Sequence, residues 1–371
     1  MRILLVGDYS FVHYYLRQAF AELGHDVVFV SDGEGVRNVP RDIDVARDMR
    51  YGKLGGLKVL WTLVRNLRRL RGYDIVFIYS YNIVPLRAKW NMRLLCYLKK
   101  HNRFVVAGCN GDDPQVMEML VKGVPRYSEV YWNGQLHNMA ENRVRFGYHA
   151  APESIACWKE VSAKADVITP CLYEYWLAYS KGPYAAKSCY MALPMRIPDG
   201  VKVKGTGDKI KVLVGVHSNR EYLKGARLIG KMVEEVGRRH PGRLDIRYVE
   251  NVPYGEYCAM LAEADVQVDQ LYSFTPSMNS LAAMANGTVV IGGGEEEYYD
   301  FIGEKELRPI INVSPEKTFE DNVKAIEAAL VPEGNVARLS RQSIEFVRKH
   351  HEYRKIAAQY IEMYNEHVGE R

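Results

Sequence analysis

The stretch Asp269–Asp300, DQLYSFTPSMNSLAAMANGTVVIGGGEEEYYD, decides the fold of this chain. Within it, Pro276-Ser277 predicts the start of a helix, because proline fits a first turn and serine can cap free N–H groups. Asn286-Gly287 predicts the end of that helix, since both residues tolerate the left-handed conformation. The apolar run Thr288–Ile291 is typical of a strand that is covered on both faces. The stretch begins at the end of another strand, and a helix between two strands indicates a parallel α/β sheet. The N-terminus of such a helix is a ready site for an anion.

Similar patterns along the rest of the chain predict two α/β units. In the first half, strands are predicted at Ile3–Val6, Val27–Val30, Ile75–Tyr79, Phe104–Ala107 and Ala165–Pro170. In the second half, they are predicted at Val212–Val216, Leu244–Val249, Val266–Val268, Val289–Ile291 and Ile310–Val313. Between the halves, Leu193–Asp208 has no helical or strand period, which is typical of a linker. Gly7 is not followed by a dinucleotide fingerprint, so a nicotinamide or flavin cofactor loses its main support.

Size and composition indicate a soluble protein with two domains. The chain has 371 residues, of which 47% are hydrophobic and 26% charged. Its net charge of +5 is too weak to indicate nucleic acid as a partner. Six cysteines without a C-x-x-C pair predict free thiols in a reducing compartment and no metal centre. Because the sequence shows neither a signal-peptide pattern nor an apolar run long enough to span a bilayer, we expect a cytoplasmic protein, one that can lie on a membrane without crossing it.

The opening stretch also carries a family resemblance. It keeps the pattern Ala-Met-Ala-x-Gly-Thr-x-Val at Ala283–Val290, and Asn279 stands where many relatives carry asparagine. In both features the chain resembles GT-B glycosyltransferases of the "group 1" type. The resemblance implies an α/β GT-B fold, in which two doubly wound Rossmann-like domains face each other across a cleft. It implies an acceptor-side domain at 1–195, a donor-binding domain at 205–345, and a tail helix at 350–371 that packs back on the first domain.

The resemblance also implies a function. Enzymes of this type transfer a sugar from a nucleoside-diphosphate donor, here a UDP- or GDP-sugar, and no metal is expected. The implied acceptor is a glycan or a polyprenyl-linked glycan in surface polysaccharide biosynthesis, at the inner face of the membrane.

The chain departs from the family at two glutamates, which are replaced by Phe274 and Ala282. In relatives the first glutamate faces the hydroxyls of the donor sugar and the second faces the ribose. A buried hydroxyl without its partner costs roughly 1–3 kcal/mol. Either other carboxylates take over, or the donor differs, or activity is lost. We favour the first explanation, with Asp269, Glu295 and Glu297 as the carboxylates.

Candidate donor-binding residues follow from the same resemblance. Lys224 precedes Gly225 after a predicted strand and matches a lysine that contacts the donor diphosphate, with Arg220 as a second cation. The other candidates are Ser277, Met278, Asn279, Gly293, Gly294, Glu297 and Asn251. A fixed cation and oriented N–H groups can stabilise a departing diphosphate without a metal. Each candidate also has a purely structural interpretation. Lys224 and Arg220 can be solvated loop charges, and Ser277 can be a helix cap. Gly293 and Gly294 can form a surface turn before an acidic helix start.

On the acceptor side, Asp8, His13 and Asp112 lie in loops after predicted strands, so we expect them to face the cleft. If the transfer inverts the anomeric carbon, one of them can act as the base on the acceptor hydroxyl. A simple turn is the alternative for Asp112–Pro114. Residues 115–158 are aromatic and irregular, and we interpret them as a variable acceptor-side insertion.

A basic amphipathic pattern in the first half suggests contact with an anionic membrane surface. Apolar residues of a helix predicted at 57–70 are interspersed with Lys53, Lys58, Arg65, Arg68, Arg69 and Arg71. A basic face with a tryptophan can rest on anionic lipid. The alternative is a helix that packs its apolar face on the sheet and turns its arginines to solvent.

Two rival functions remain open. A nucleotide-sugar epimerase on the same fold would need only one substrate and would carry a fuller set of acidic and histidine groups in its cleft. A non-catalytic subunit that binds nucleotides or sugars would be consistent with the two replaced glutamates.

Overall fold

The computed structural model describes residues 1–34 and 37–369, and the chain divides into two compact units. Unit 1 contains Met1–Glu118, Arg143–Pro194 and the C-terminal residues from Tyr353 onward. Unit 2 contains Met119–Asn142 and Met195–Glu352.

Strands and helices alternate along most of the described chain. The strands are β1 (Arg2–Val6), β2 (Asp26–Ser31), β3 (Ile43–Asp44), β4 (Ile75–Ile78), β5 (Phe104–Cys109), β6 (Tyr131–Trp132), β7 (Gln135–Leu136), β8 (Val167–Pro170), β9 (Ile210–Val216), β10 (Leu244–Glu250), β11 (Val266–Val268), β12 (Val289–Gly292) and β13 (Ile310–Asn312). The helices are α1 (Val12–Glu22), α2 (Gly52–Asn66), α3 (Ala88–His101), α4 (Pro114–Val121), α5 (Arg143–Ala150), α6 (Pro152–Lys164), α7 (Tyr173–Tyr179), α8 (Glu221–Lys224), α9 (Ala226–Arg239), α10 (Tyr254–Glu263), α11 (Met278–Ala285), α12 (Glu296–Phe301), α13 (Phe319–Leu330), α14 (Asn335–His350) and α15 (Tyr353–Gly369).

Unit 1 is built on a parallel sheet with the strand order β3-β2-β1-β4-β5-β8. The order runs outward in both directions from β1 and β4, so these two strands define the switch point of the sheet. The last helix belongs to this unit: the rings of Phe77 and Tyr360 lie 5.0 Å apart, and the Tyr353 hydroxyl donates to Glu22 at 2.6 Å. The C-terminal helix therefore returns to the N-terminal domain, as the family resemblance implies.

Unit 2 has a second parallel sheet, with the order β10-β9-β11-β12-β13. Its switch point lies between β9 and β11. Buried valines and isoleucines of the central strands pack against the apolar side of α9, including Ile229 and Val233. Because helices cover these strands, most of their residues are apolar, and this is why the sequence predicts them well. The predicted α/β fold with two parallel Rossmann-like sheets is confirmed.

Two stretches differ from the patterns in the sequence. The helix predicted at 57–70 begins at Gly52, after a turn that Asp48 caps by accepting from Arg50 N, and it ends at Asn66 before a 3-10 turn at Leu67–Leu70. The irregular residues 115–158 divide into parts with different neighbours. Met119–Asn142, which contains the antiparallel pair β6–β7, packs with unit 2, although the sequence analysis placed it in the first domain.

Candidate functional site

The first candidate site lies at the switch point of the unit 2 sheet. The connection after β9 contains the short helix α8, which ends at Lys224, and the loop after β11 leads into α11. These strands are neighbours and parallel, so both loops leave from the same edge of the sheet. Ligands of open α/β sheets bind at this place.

Lys224 is held in position by the turn that follows it. Gly225 adopts the left-handed conformation with φ 65°, which ends α8 and begins α9. A Cβ at this glycine would lie 3.1 Å from Leu271, so a larger residue would push the two loops apart. Leu271 N donates to the carbonyl oxygen of Lys224 at 2.7 Å. The Lys-Gly pair therefore fixes the lysine next to the loop after β11.

Asp269 brings the predicted donor-binding side chains together. Its carboxylate, 2% exposed, accepts from Lys224 Nζ at 2.8 Å and from the Ser280 hydroxyl. Asn279 Nδ2 and Ser277 Oγ lie 3.4 Å from the same carboxylate. Burial alone would raise the pKa of Asp269, but the Lys224 charge and the hydrogen bonds hold it below its ordinary value. We call this cluster of Lys224, Asp269, Ser277 and Asn279 the Asp269 corner.

The Asp269 corner has the groups that bind a phosphate oxyanion. Lys224 supplies a cation, and α11 begins at Met278 with its N-terminus at the same edge of the sheet. In the described helix the Ser277 side chain does not cap the first N–H groups; it accepts instead from Gln270 Nε2 at 3.0 Å. From the sequence alone, Asp269 is expected only as one of the carboxylates that replace the family glutamates. The signal for its larger role is a lone carboxylate directly after a buried strand.

Two further donor-side candidates lie in the loops beside β9 and β10. Arg220 is exposed, and its backbone N–H donates to the carbonyl oxygen of His217 at 2.8 Å. Asn251 adopts a positive φ of 51°, and its side-chain amide donates to Ser218 Oγ at 2.6 Å. This geometry gives Asn251 a role in shaping the loop.

The glycines after β12 are required by packing within the protein. A Cβ at Gly293 would lie 1.7 Å from the carbonyl oxygen of Ser273, and one at Gly294 would lie 2.9 Å from Ile310 Cβ. Gly294 N also donates to Asn312 Oδ1 at 3.0 Å. These two donor-binding candidates therefore approach neighbouring protein segments closely.

The 119–142 segment covers the loops after β11 and β12. The Tyr127 ring packs on Phe274 with ring centroids 4.4 Å apart, and its hydroxyl donates to Glu295 Oε1 at 2.8 Å. Arg126 pairs with Glu295 at 2.9 Å and also with Glu297 and Glu316. Phe274, which is expected at the position of the first family glutamate, is 2% exposed beneath these side chains.

The same segment reaches the loop that carries Lys224. Asn138 Nδ2 donates to the carbonyl oxygen of Tyr222 at 2.9 Å, and the rings of His137 and Tyr272 lie 5.3 Å apart. The segment thus contacts loops that follow β9, β11, β12 and β13. Glu295 and Glu297, the carboxylates expected to replace the family glutamates, are engaged by Arg126, and Glu295 also accepts from Tyr127.

The second candidate site is a pocket of about 220 Å³ at the switch point of unit 1. Gly7 and Asp8 after β1, Tyr79 and Asn82 after β4, and Tyr148 from α5 are among its lining residues. Gly7 has φ 79°, and a Cβ there would lie 2.9 Å from the Ile83 carbonyl oxygen. The glycine therefore allows the two loops to meet at the base of the pocket.

Asp8 lines this pocket and also caps α1. Its carboxylate accepts from the backbone N–H groups of Tyr9, His13 and Tyr14 at 2.8, 2.9 and 3.2 Å. A carboxylate has about four acceptor positions, so these three bonds leave one. Burial, with a smaller contribution from the Glu34 charge, raises the pKa of Asp8 well above its ordinary value. A buried carboxyl with a raised pKa is suited to proton transfer.

The other two acceptor-side candidates have structural partners. His13 is 2% exposed, and its Nδ1 donates to the Gly7 carbonyl oxygen at 2.7 Å. Burial lowers the pKa of His13 to about 4, so the ring is neutral at pH 7. Asp112 forms a two-pronged pair with Arg145, with one N···O distance of 2.8 Å. Only Asp8 of the three lines the pocket. Among residues 1–34 and 37–369, no group of three or more His, Cys, Asp or Glu side chains is arranged to hold a metal ion.

Comparison with known proteins identifies the fold. No family profile matches the chain, and no curated protein matches it either. Among solved structures, WaaG, a glycosyltransferase involved in lipopolysaccharide biosynthesis, is similar with a TM-score of 0.57 and 10% identity, over 98% of this chain and 99% of WaaG. The sucrose-phosphate synthase of Thermosynechococcus elongatus gives a TM-score of 0.58 and 15% identity over the whole of both chains. This chain has the GT-B fold. A variant of S. aureus TarM, solved in complex with UDP, gives a TM-score of 0.51 and 11% identity over 83% of this chain and 59% of TarM.

Proposed function

We propose that this chain is a glycosyltransferase that takes its sugar from a nucleoside-diphosphate donor. The observation that carries the proposal is the convergence of Lys224, Ser277 and Asn279 on the buried Asp269 at the switch point of the second sheet. UDP in the structure of TarM supports a nucleoside diphosphate as the ligand. In this proposal, Lys224 and the start of α11 hold the diphosphate.

The Asp269 corner would act on the departing diphosphate. When the bond between the anomeric carbon and the diphosphate oxygen breaks, negative charge grows on that oxygen. A cation and helix N–H groups that are already in place stabilise this charge without reorganising. Asp269 holds the lysine in position, because its 2.8 Å contact fixes the ammonium group.

The pocket of unit 1 is the proposed acceptor site. Asp8 would accept the proton of an acceptor hydroxyl, since its carboxylate lines the pocket and keeps one acceptor position beside its three backbone N–H partners. We propose a glycan or polyprenyl-linked acceptor in surface polysaccharide biosynthesis, for which the role of WaaG in lipopolysaccharide biosynthesis is the support. The corresponding place of action is the cytoplasmic face of the inner membrane.

One observation favours a second candidate, a nucleotide-binding protein without turnover. Phe274 stands where relatives place a glutamate on the donor sugar, and here Tyr127 packs over it. A sugar at that position would have to displace Tyr127 and Arg126 from Glu295. A protein that binds only the nucleotide would have no need to do so.

A thermal-shift panel of UDP-, GDP- and CMP-sugars tests the donor site. We expect one nucleotide to raise the melting temperature of the wild type and of Lys231→Ala, a variant that removes an exposed lysine of the same unit. Lys224→Ala should abolish the shift. Because Lys224→Ala leaves Asp269 buried without its cation, the double variant Lys224→Ala/Asp269→Asn serves as a neutral version of the corner. A shift that persists in both variants would refute the donor site.

Release of free nucleotide then separates the two candidates. A glycosyltransferase should release nucleoside diphosphate from the stabilising donor when lipid extract or glycan is added. Stabilisation without any release, across acceptors, would favour the binding protein.

A further inference from the structure

Helix α2 exposes a row of large apolar side chains. Leu54, Leu57, Trp61 and Val64 are spaced three or four residues apart, as on one face of a helix. Their exposed fractions range from 57% at Val64 to 65% at Leu54. Met49 and Tyr51, in the turn before the helix, extend the row and are 71% and 62% exposed.

This row is not the face by which α2 packs on unit 1. The buried residues of the helix are Gly55, Val59 and Leu63, spaced four apart, and they fall on the opposite side from Trp61. One alternative from the sequence is a helix that packs its apolar face on the sheet and turns its arginines to solvent. In the structure Leu57, Trp61 and Val64 face outward together with the basic residues, so that alternative does not describe α2.

Basic side chains border the apolar row. Between Met49 and Gly72 the sequence has no aspartate or glutamate, and its exposed basic residues are Arg50, Lys53, Lys58, Arg65, Arg68, Arg69 and Arg71. On a helix, Lys53 falls on one side of the row, and Lys58 and Arg65 fall on the other. The Arg65 guanidinium lies 5.3 Å from the centre of the Trp61 ring. None of the described helices combines the length and the low polarity that crossing a membrane requires.

We propose that this face of α2 docks unit 1 on an anionic lipid surface, with Leu57, Trp61 and Val64 among the acyl chains and the basic border at the phosphate headgroups. Apolar side chains ringed by positive charge match the two layers that such a surface presents. Two copies of this chain meeting through the same face would bring their basic borders together, which like-charge repulsion opposes. The inference rests on α2 alone and is independent of the proposed sugar transfer.

Sedimentation with vesicles tests the docking face. We expect the wild type to bind vesicles that contain phosphatidylglycerol in phosphatidylcholine at low salt, and to bind pure phosphatidylcholine vesicles at least about tenfold more weakly. Leu57→Glu/Trp61→Glu should reduce binding to the anionic vesicles by at least about tenfold. Leu228→Glu/Phe319→Glu is the matched control, because it adds the same charge at two exposed apolar positions of unit 2 and should bind as the wild type does.

A second pair of variants separates charge from apolar contact. Lys53→Ala/Lys58→Ala/Arg65→Ala should weaken binding to anionic vesicles and leave the residual binding less dependent on salt. Lys209→Ala/Lys231→Ala/Lys324→Ala removes exposed lysines of unit 2 and should have little effect.

Fluorescence quenching keeps the test decisive if a glutamate variant fails to fold. Lipids brominated in their acyl chains should quench the tryptophan emission of the wild type, and Trp61→Phe should remove most of that quenching. Equal quenching in Trp61→Phe, or equal vesicle binding in the two glutamate pairs, would overturn the proposal. A dimer of the wild type that Leu57→Glu/Trp61→Glu dissociates would also overturn it, because the face would then be covered by a second copy.

Discussion

At the scale of single residues, Gly293 packs so closely on the loop after β11 that no side chain fits. Its ideal Cβ would lie 1.7 Å from the Ser273 carbonyl oxygen. Gly293→Ala should therefore lower the free energy of unfolding by about 1–3 kcal/mol or more. Gly255→Ala is the matched control, since Gly255 lies exposed in α10 with no atom within 4 Å of its Cβ position. In that variant the free energy of unfolding should increase by up to about 1 kcal/mol. Thermal melts followed by circular dichroism compare the two, and equal losses would contradict the packing argument.

Asp113 makes the stability of unit 1 depend on pH. Its carboxylate is buried and accepts hydrogen bonds from the Tyr179 hydroxyl and from Val116 N. Burial, only partly offset by these bonds, raises the pKa of Asp113 from 3.8 to about 6. The folded state therefore holds the proton more tightly than the unfolded state. The resulting stabilisation is fully present below about pH 4 and is lost as the pH rises through about 6, a change of about 3 kcal/mol.

The variant Asp113→Asn tests this pH dependence. Its amide has no charge to bury and keeps an oxygen for the Val116 N–H group. The melting temperature of the variant minus that of the wild type should therefore be several degrees higher at pH 7.5 than at pH 4. Calorimetry at both pH values gives the difference in melting temperature between the two proteins at each pH. A difference that does not change with pH would show that Asp113 titrates normally.

Residue identities predicted part of the candidate site. The Lys224-Gly225 pair and the helix start at Ser277 could be found from the sequence, because each has a local signal in a strand–loop–helix context. The roles of Gly293 and Asn251 could not be found in this way. A run of glycines and an asparagine after a strand are also typical of loops that bind ligands. Only the distances to Ser273 and Ser218 show that protein segments are their neighbours.

At the scale of elements, the 119–142 segment is held on unit 2 mainly by Arg126. Its guanidinium pairs with the largely buried Glu295 and with the more exposed Glu297 and Glu316. Arg126→Ala would leave Glu295 without its cation, at a cost of roughly 1–3 kcal/mol. Hydrogen exchange should then become faster in residues 119–142 and around Glu295. Arg338→Ala, which removes an exposed contact to Asn335 elsewhere in unit 2, should leave both regions unchanged. Unchanged exchange in Arg126→Ala would mean that the contacts of Tyr127, His137 and Asn138 hold the segment without Arg126.

Element order was more predictable from sequence than this packing. The buried strands of both sheets have apolar runs that mark them, and short loops keep them in order. The segment around Tyr127 has no such period, and its partners at Phe274 and Glu295 are far away in the chain. Its assignment to unit 2 follows from aromatic packing and ion pairs that no local pattern encodes.

At the scale of the whole molecule, the two units repeat one arrangement with different chemistry. Each parallel sheet has a switch point, and each switch point carries one candidate site. In unit 2 a lysine that Asp269 holds in position lies with a helix start at one edge of the sheet, an arrangement that suits a diphosphate under the proposed function. In unit 1 a pocket holds Asp8, a carboxyl with a raised pKa, which suits a hydroxyl. Under the proposed function, binding of the donor and transfer of the proton therefore belong to different units.

This division predicts that the two steps can be separated by mutation. Asp8→Asn should keep the thermal shift caused by the donor, because the Asp269 corner is intact. It should lower the rate of nucleotide release by about 10²–10⁴-fold, since the amide cannot take a proton. Asp32→Asn is the control, because Asp32 lines the same pocket but has no role in proton transfer in the proposal. Lys224→Ala should differ from Asp8→Asn because it loses the thermal shift as well as the release of nucleotide. If Asp8→Asn released nucleotide at the wild-type rate, the proton would have to go to another group, and the carboxyl in the unit 1 pocket would be only the cap of α1.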